Sequence, residues 1–329
     1  MAITASGDIS DRVATHVVAR MLLRATPYLV FEKFGQITVL PNNQTTTATF
    51  RRWEALDATP NELIEGVTPP AKTPEVTDVP VTLKQYGDLI TVTDVIKDTH
   101  TDPVLKENAD VLGEQAAEMI ENVRYGVLKA GTNVFYAGSA TQRSEVAAAM
   151  SKALQRRITR FLKAQKAKMI TKIVKSTPAY LTEPVAPGYV AVCHPNCEAD
   201  IRDMEGFISA ERYGSMSPWE NELGSLEGVR YLYSTIITPW ADAGAAYDGS
   251  FLSTSDVQND VYPILFFARD AYGIVPLKGQ SSLAPMVVNP KPTDSDPLAQ
   301  RGHISWKSMQ ACVILNQAWM CRAEVAVTA

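Results

Sequence analysis

Cysteine and histidine are both scarce in this sequence, with four of each among 329 residues. Four cysteines are too few to staple a chain of this length, so we expect a protein from a reducing, cytoplasmic compartment. No apolar run approaches the roughly 18 residues of a membrane span. The first residues also lack the basic start and apolar block of a secretory signal, so we expect neither secretion nor membrane insertion.

Catalytic signatures are missing as well. The sequence contains no G-x-S-x-G, no phosphate-loop lysine motif, no G-x-G-x-x-G and no H-E-x-x-H. The best metal candidate is Cys193, His194 and Cys197, which could bind zinc with a fourth ligand from elsewhere. Because Cys193 ends an apolar run, where buried thiols are common, we favour core packing. We therefore predict no metal, no cofactor and no enzymatic activity.

The net charge of −5 conceals a strong segregation along the chain. Residues 123–182 carry 12 basic side chains and one acidic side chain, whereas residues 1–122 and 183–329 are each acidic by eight charges. A basic block between acidic flanks predicts contact with something anionic, such as another copy of the same chain. Identical subunits with such charges favour head-to-tail contacts, which build rings or lattices.

The longest helical pattern runs from Asp102 to Gly131. Asp102 suits the N-cap, Pro103 suits the first helical position, and apolar residues follow at steps of three or four. Gly131 can take the left-handed conformation that ends a helix. The helix would be roughly 40 Å long, which predicts a rigid element laid across other parts of the chain.

Two strand patterns, Thr45–Trp53 and Val79–Ile96, are separated by roughly twenty residues rich in proline, glycine and aspartate. Such a connection is either a disordered surface loop or the tip of a two-stranded arm that becomes ordered on a neighbouring subunit. We favour the second alternative, because an isolated hairpin is only marginally stable in water. The predicted interface residues of this arm are Trp53, Pro60, Glu62, Glu65, Pro69 and Lys72.

A second long helix is predicted over Ser144–Ile170, with a buried apolar stripe and a basic opposite face. Three alternatives remain open for that face: it is solvated, it contacts packaged nucleic acid, or it contacts an acidic subunit surface. No DNA-reading motif accompanies the charge, so any nucleic-acid contact would not depend on base sequence. The residues of this basic face are Lys152, Arg156, Arg160 and Lys163.

Proline-rich stretches mark boundaries near residues 177–188 and 291–297. Between them, short strands and one helical stretch predict a compact α+β unit. The last stretch, Ile304–Val327, begins with strand-like alternation and should return to the sheet beside the long helix. Residues 1–42 indicate an extended arm that must lie on other protein, because they cannot form a separate core.

The order of these parts resembles the tailed-phage major capsid proteins of HK-97-like fold and, within them, the coliphage N-4-type family. The resemblance covers about the first 135 residues and the C-terminus well, and the middle weakly. The residues that carry it are TPYLVFEKFGQ (26–36), TFRRW (49–53), GVTPP (66–70), QYGDLITVTD (85–94), Asp102–Gly131 and Trp306–Glu324.

The resemblance implies four parts of an α+β capsid subunit. They are an N-terminal arm (1–42), an extended β-hairpin loop (43–97), a discontinuous peripheral domain (98–185 plus 293–329) with a spine helix at 102–131, and an axial domain (186–292). The implied function is that of a major capsid protein, assembled in the host cytoplasm into hexamers and pentamers of an icosahedral virion shell around double-stranded DNA. Implied partners are portal protein, scaffolding protein and a decoration protein.

Three other functions remain open. An encapsulin-like nanocompartment shell would use the same fold to enclose cargo instead of nucleic acid. A metal-dependent enzyme would use the candidate cluster of two thiols and an imidazole. A monomeric binding module would stay a single chain at all concentrations.

Overall fold

The computed structural model describes residues 29–41, 45–63, 65–66, 68–93, 104–174, 182–214, 218–277, 284–288, 297–298 and 300–329. Within these ranges the α-helices are α1 (Val104–Leu128), α2 (Lys152–Ala164) and α3 (Glu198–Arg202). None of the helices in the described ranges is long and apolar enough to cross a membrane. Single turns of 3-10 helix occur at Phe31–Lys33, Arg143–Glu145, Pro195–Cys197, Ala210–Arg212 and Gln317–Trp319.

The strands form two sheets and a separate hairpin. They are β1 (Gln36–Ile37), β2 (Thr47–Trp53), β3 (Val76–Thr82), β4 (Lys84–Thr93), β5 (Val134–Tyr136), β6 (Ile170–Val174), β7 (Thr182–Cys193), β8 (Ile208–Ser209), β9 (Glu222–Leu226), β10 (Val229–Tyr233), β11 (Tyr262–Phe267), β12 (Tyr272–Pro276), β13 (Ala284–Val288), β14 (Arg301–Ile314) and β15 (Met320–Val325). The small sheet has the order β1-β12-β14-β13, with β4 also paired to β14. The large sheet has the order β5-β15-β11-β7-β10-β9-β8, with β6 paired to β7, and β2 and β3 form the hairpin.

Helix α1 connects the two sheets. Its first half packs Ala109, Leu112 and Ala116 against the small sheet. Its last turns pack Tyr125 and Leu128 against the opposite part of the core, on the large sheet. Because the helix serves two sheets, its buried face is wider than the single predicted stripe. The predicted cap, Asp102 and Pro103, lies outside the described residues.

The predicted role of Gly131 is wrong. Gly131 does not adopt a left-handed conformation, and the backbone N–H groups of Ala130 and Gly131 instead bond to carbonyls three residues earlier. A Cβ at this position would collide with the side-chain end of Met320. Glycine at this position therefore leaves room for the side-chain end of Met320 in β15.

The predicted strand Val79–Ile96 is in fact two strands in different sheets. The break falls at Leu83, whose side chain is buried and whose N–H donates to the carbonyl oxygen of Thr46. Before the break, β3 pairs with β2 in antiparallel register from Thr82 to Val76. After it, β4 pairs along ten residues of β14. Residues 94–96, the end of the prediction, lie outside the described ranges.

The second predicted helix, Ser144–Ile170, is about half as long as expected. Ser151 caps α2 by accepting a hydrogen bond from the N–H of Leu154, and Lys166 (φ 53°) ends it in the left-handed conformation. Before the cap, the chain is extended because its carbonyls pair elsewhere: Val146 accepts from Ala245, and Ala148 accepts from Ala326. Tertiary pairing thus overrides the helical propensity of the alanine run.

The core lies on both faces of the large sheet. One face packs against the apolar sides of α2 and α3, where Ile158, Leu162 and Ile201 are fully buried. The other face packs against the arm residues 30–34 and the end of α1. The predicted strand Tyr262–Phe267 is β11, and all six of its residues are buried.

The last two strands of the chain, β14 and β15, lie in different sheets. Strand β14 packs against α1, as the return of the last stretch to that helix predicts. Strand β15, however, lies in the large sheet between β5 and β11, while β12 lies in the small sheet beside β14. The limits of the peripheral domain (98–185 plus 293–329) and the axial domain (186–292) stay a prediction.

Candidate assembly surfaces

The β2–β3 hairpin is anchored at its base. Phe50 and Ala48 are buried with Val275 and Ala311 of the small sheet. The Phe50 ring lies so close to Gly273 that a Cβ there would approach it to 2.6 Å. On the outer face, Arg51 forms a two-point ion pair with Asp78 across the strands, at 2.9 and 3.1 Å. The base therefore holds the hairpin in a fixed direction.

The far end of the hairpin is exposed. Trp53 and Val76, which pair across the strands, are 63% and 40% accessible, and Leu56 and Leu63 are 53% and 70% accessible. All of the predicted interface residues in this segment are exposed as well. Lys72 donates to the carbonyl oxygen of Asp57 at 2.7 Å, so it holds the two sides of the segment together. The exposed leucines could not be predicted from the sequence, because isolated apolar residues in a proline-rich stretch match neither the helical nor the strand period.

A second feature joins the arm to α1. The buried carboxylate of Glu121 accepts hydrogen bonds from the N–H of Phe31 at 3.2 and 3.3 Å and lies 3.5 Å from Arg124. Arg124, also buried, reaches Glu32 of the arm at 3.4 Å and donates to Gln310 of β14 at 3.3 Å. Burial raises the pKa of Glu121 to about 7, although the positive charge of Arg124 lowers it.

This junction was not found from the sequence. Helical spacing identifies apolar positions, and a buried ion pair at 121 and 124 looks the same as the exposed charged pairs common on helices. The only available signal was that both positions lie close to the apolar stripe. The structure shows that both residues bind the arm: Glu121 accepts a hydrogen bond from its backbone, and Arg124 pairs with Glu32.

The basic face of α2 divides into two halves. In the first half, Arg156 donates from Nε to Glu227 at 2.8 Å and from its terminal nitrogen to the same carboxylate, and Lys152 lies 3.8 Å from it. The Arg156 guanidinium holds the pKa of Glu227 below its ordinary value. In the second half, Arg160 and Lys163 are exposed, and neither forms an ion pair within the described part of the chain.

The candidate metal ligands Cys193, His194 and Cys197 lie at the end of β7 and in the single 3-10 turn that follows it. Cys193 and Cys197 are buried, and burial raises the pKa of both thiols, that of Cys197 to about 12. His194 caps the following turn by accepting from the N–H of Asn196. Among the described residues there is no group of three ligands that could hold a metal ion.

A comparison with known protein families now identifies the family of the chain. The sequence model described as "Phage capsid protein" matches residues 75–305, more than half of the chain. The chain belongs to the phage capsid protein family. No curated protein sequence matches the chain. The expected capsid role is thereby confirmed, while the narrower N-4-type assignment and the absence of enzymatic activity stay predictions.

Solved capsid structures share the fold of this capsid protein. The capsid of Ralstonia phage GP4 aligns with a TM-score of 0.66 at 12% identity, covering 92% of both chains. The capsid of cyanophage Pam1 aligns at 0.59 and 14% identity over 93% of this chain and 92% of that one. The head of Helicobacter pylori bacteriophage KHP40 aligns at 0.59 and 11% identity over 88% and 87%. The HK-97-like fold expected from the sequence is confirmed.

Proposed function

We propose that this capsid protein is the major shell subunit of a tailed phage and assembles into hexamers and pentamers of an icosahedral shell around double-stranded DNA. In this assembly, the distal segment of the hairpin, residues 53–76, lies on a neighbouring copy. The predicted interface residues Trp53, Pro60, Glu62, Glu65, Pro69 and Lys72 all belong to this segment.

The observation that supports the proposal is the projecting hairpin itself. Four of its large apolar residues lie beyond an anchored base and remain 40–70% accessible within their own chain. Removing a tryptophan or leucine side chain from water is worth about 1.5–3 kcal/mol, so a neighbour that covers Trp53 and Leu63 gains several kcal/mol. A monomeric function offers no reason to keep these side chains in water.

Further partners follow from the proposed role. Assembly would take place in the host cytoplasm, with scaffolding protein, a portal protein at one vertex and a decoration protein on the shell. Packaged DNA would be contacted through its phosphates and without base readout.

Replacing residues 58–74 by a short glycine-serine linker tests the role of the hairpin. The backbone bond from the N–H of Glu54 to the carbonyl oxygen of Glu75 (2.9 Å) brings the two ends together, so the subunit should still fold. We expect a soluble chain with unchanged circular dichroism that forms no shells in electron micrographs. Val257→Ser, at an exposed apolar residue outside the hairpin (67% accessible), serves as the control. Normal particles from the linker variant would refute the role of the hairpin.

A further inference from the structure

The proposed function leaves open which surface of the neighbour receives the hairpin. We propose that the acidic segment, residues 54–75, of one copy docks on the cationic strip of a second copy. The cationic strip is the end of α2 and the turn after it, and its residues are Arg160, Lys163, Lys166 and Lys168. This inference rests on the proposed function, because it requires contact between copies of the chain.

The cationic strip is a set of like charges without internal compensation. All four side chains are exposed, and none forms an ion pair within the described part of the chain. Arg160 and Lys163 lie one turn apart on α2, so their charges repel each other unless an anion lies between them. Lys166, in the left-handed conformation just after the helix, and Lys168 follow directly in the chain. Such a surface is most stable when it is covered by negative groups.

The acidic segment has the complementary composition. Residues 54–75 carry five carboxylates and a single lysine, and all five carboxylates are exposed or half-exposed. Two are engaged locally: Glu54 bonds to Arg52, and Asp57 bonds to Thr59. Glu62, Glu65 and Glu75 are exposed and form no ion pair within the described residues. The segment therefore presents free negative charge on a projecting element.

The surroundings of the cationic strip limit an anionic partner to the second half of the face. On the first half of the same face, Arg156 and Lys152 already bind Glu227. Lys152 also lies 3.9 Å from Glu205, whose side chain is 94% accessible. These two carboxylates would repel a phosphate backbone that crossed the face. They would also repel the acidic segment there, so the docking that we propose is confined to the second half of the face.

A charge swap tests the docking. In the full-length chain, Arg160→Glu with Lys163→Glu should lower the yield of shells by about tenfold at 0.15 M ionic strength, and Glu62→Lys with Glu65→Lys should do the same. All four changes in one chain restore the attraction with reversed signs, so the yield should return to within about threefold of wild type. Arg202→Glu with Arg212→Glu, two exposed cations outside the strip, provides the control with the same change in net charge.

The outcomes of the charge swap distinguish docking between copies from the other roles of the cationic strip. Recovery in the fourfold variant supports docking between copies. A fourfold variant as defective as its parents overturns it. Empty shells of normal yield from the strip variant would instead assign the strip to DNA and also overturn the inference. If wild type forms no shells at all, the proposed function fails, which is a different result.

Cross-linking provides a measurement that needs no substitution. In shells assembled from equal amounts of ¹⁴N- and ¹⁵N-labelled chains, a carbodiimide should join Lys163 or Lys166 to Glu62 or Glu65. Half of these cross-linked peptides should carry mixed labels, since the two residues come from different copies. Cross-links without mixed labels, or no cross-links at these residues, would contradict the docking.

Discussion

Glu121→Gln isolates the buried junction between the arm and α1. Glutamine has nearly the same shape as glutamate and can still accept the N–H of Phe31, but it has no proton to release. Because burial raises the pKa of Glu121 from its ordinary value of 4.5 to about 7, the folded chain keeps this proton at pH values where the unfolded chain has lost it. The stabilisation is therefore complete below pH 4.5, is lost as the pH rises, and is absent above pH 7.

The structure gives the size of this effect. A difference of about 2.5 between the two pKa values corresponds to roughly 3 kcal/mol, most of which is lost between pH 5 and pH 8. For 329 residues the entropy of unfolding is about 0.7 kcal/mol per degree, so the Tm of wild type should fall by about 4 °C more than that of Glu121→Gln over this range.

Thermal unfolding of both proteins at closely spaced pH values measures the difference directly. Glu118→Gln, at an exposed carboxylate one turn earlier on α1, is the matched control and should follow the wild-type curve. Arg124 retains Glu32 as a partner in the Glu121→Gln variant, so its own charge stays compensated. Parallel curves for wild type and Glu121→Gln would refute the assignment of Glu121 as a buried, titrating group.

Two further predictions concern stability. Gly224 has φ 156°, and a Cβ there would collide with the carbonyl oxygen of Ile208. Gly224→Ala should therefore lower the free energy of unfolding, measured by chemical denaturation, by roughly 2–4 kcal/mol. Gly126→Ala, with open space around it, should raise that free energy by about 1 kcal/mol. Equal effects would contradict the packing argument. Arg230 forms a 2.6 Å ion pair with the buried side chain of Glu222, so Arg230→Met should lower the free energy of unfolding by roughly 3–5 kcal/mol. Adding Glu222→Gln should recover part of this loss. If it recovers none, the unpaired buried charge is not the cause.

Much of the fold follows from local pattern. The stripe at steps of three and four predicts α1, whose first half packs that stripe on the small sheet. Alternation predicts β2, whose Ala48 and Phe50 are buried while Thr47 and Thr49 are exposed. Strand β11 was found from its apolar run, because it is buried on both faces.

The errors came where distant contacts override local preference. The alanine run before α2 is extended because Val146 and Ala148 pair with residues far along the chain. The break at Leu83 exists because the chain changes sheets there, and no turn residue marks it. The junction at Glu121 was missed for a related reason, since its partners lie in the arm and are not visible from the helix pattern.

The candidate surfaces could be predicted only in part. Exposure of the hairpin segment followed from its composition, and the basic face followed from charge spacing. The sequence does not show that the basic face has a paired half and an unpaired half. Arg156 is paired because the β-strand topology brings Glu227 to α2. The surface of a neighbouring copy that receives the hairpin depends on two chains. The charge-swap variants test which surface it is.

The most direct test of the shell-subunit account is cryo-electron microscopy of the purified full-length chain under assembly conditions. The account predicts closed shells in which residues 54–75 of each copy lie on the neighbouring copy. A monodisperse 36.0 kDa species at every concentration, with the hairpin folded against its own chain, would contradict it.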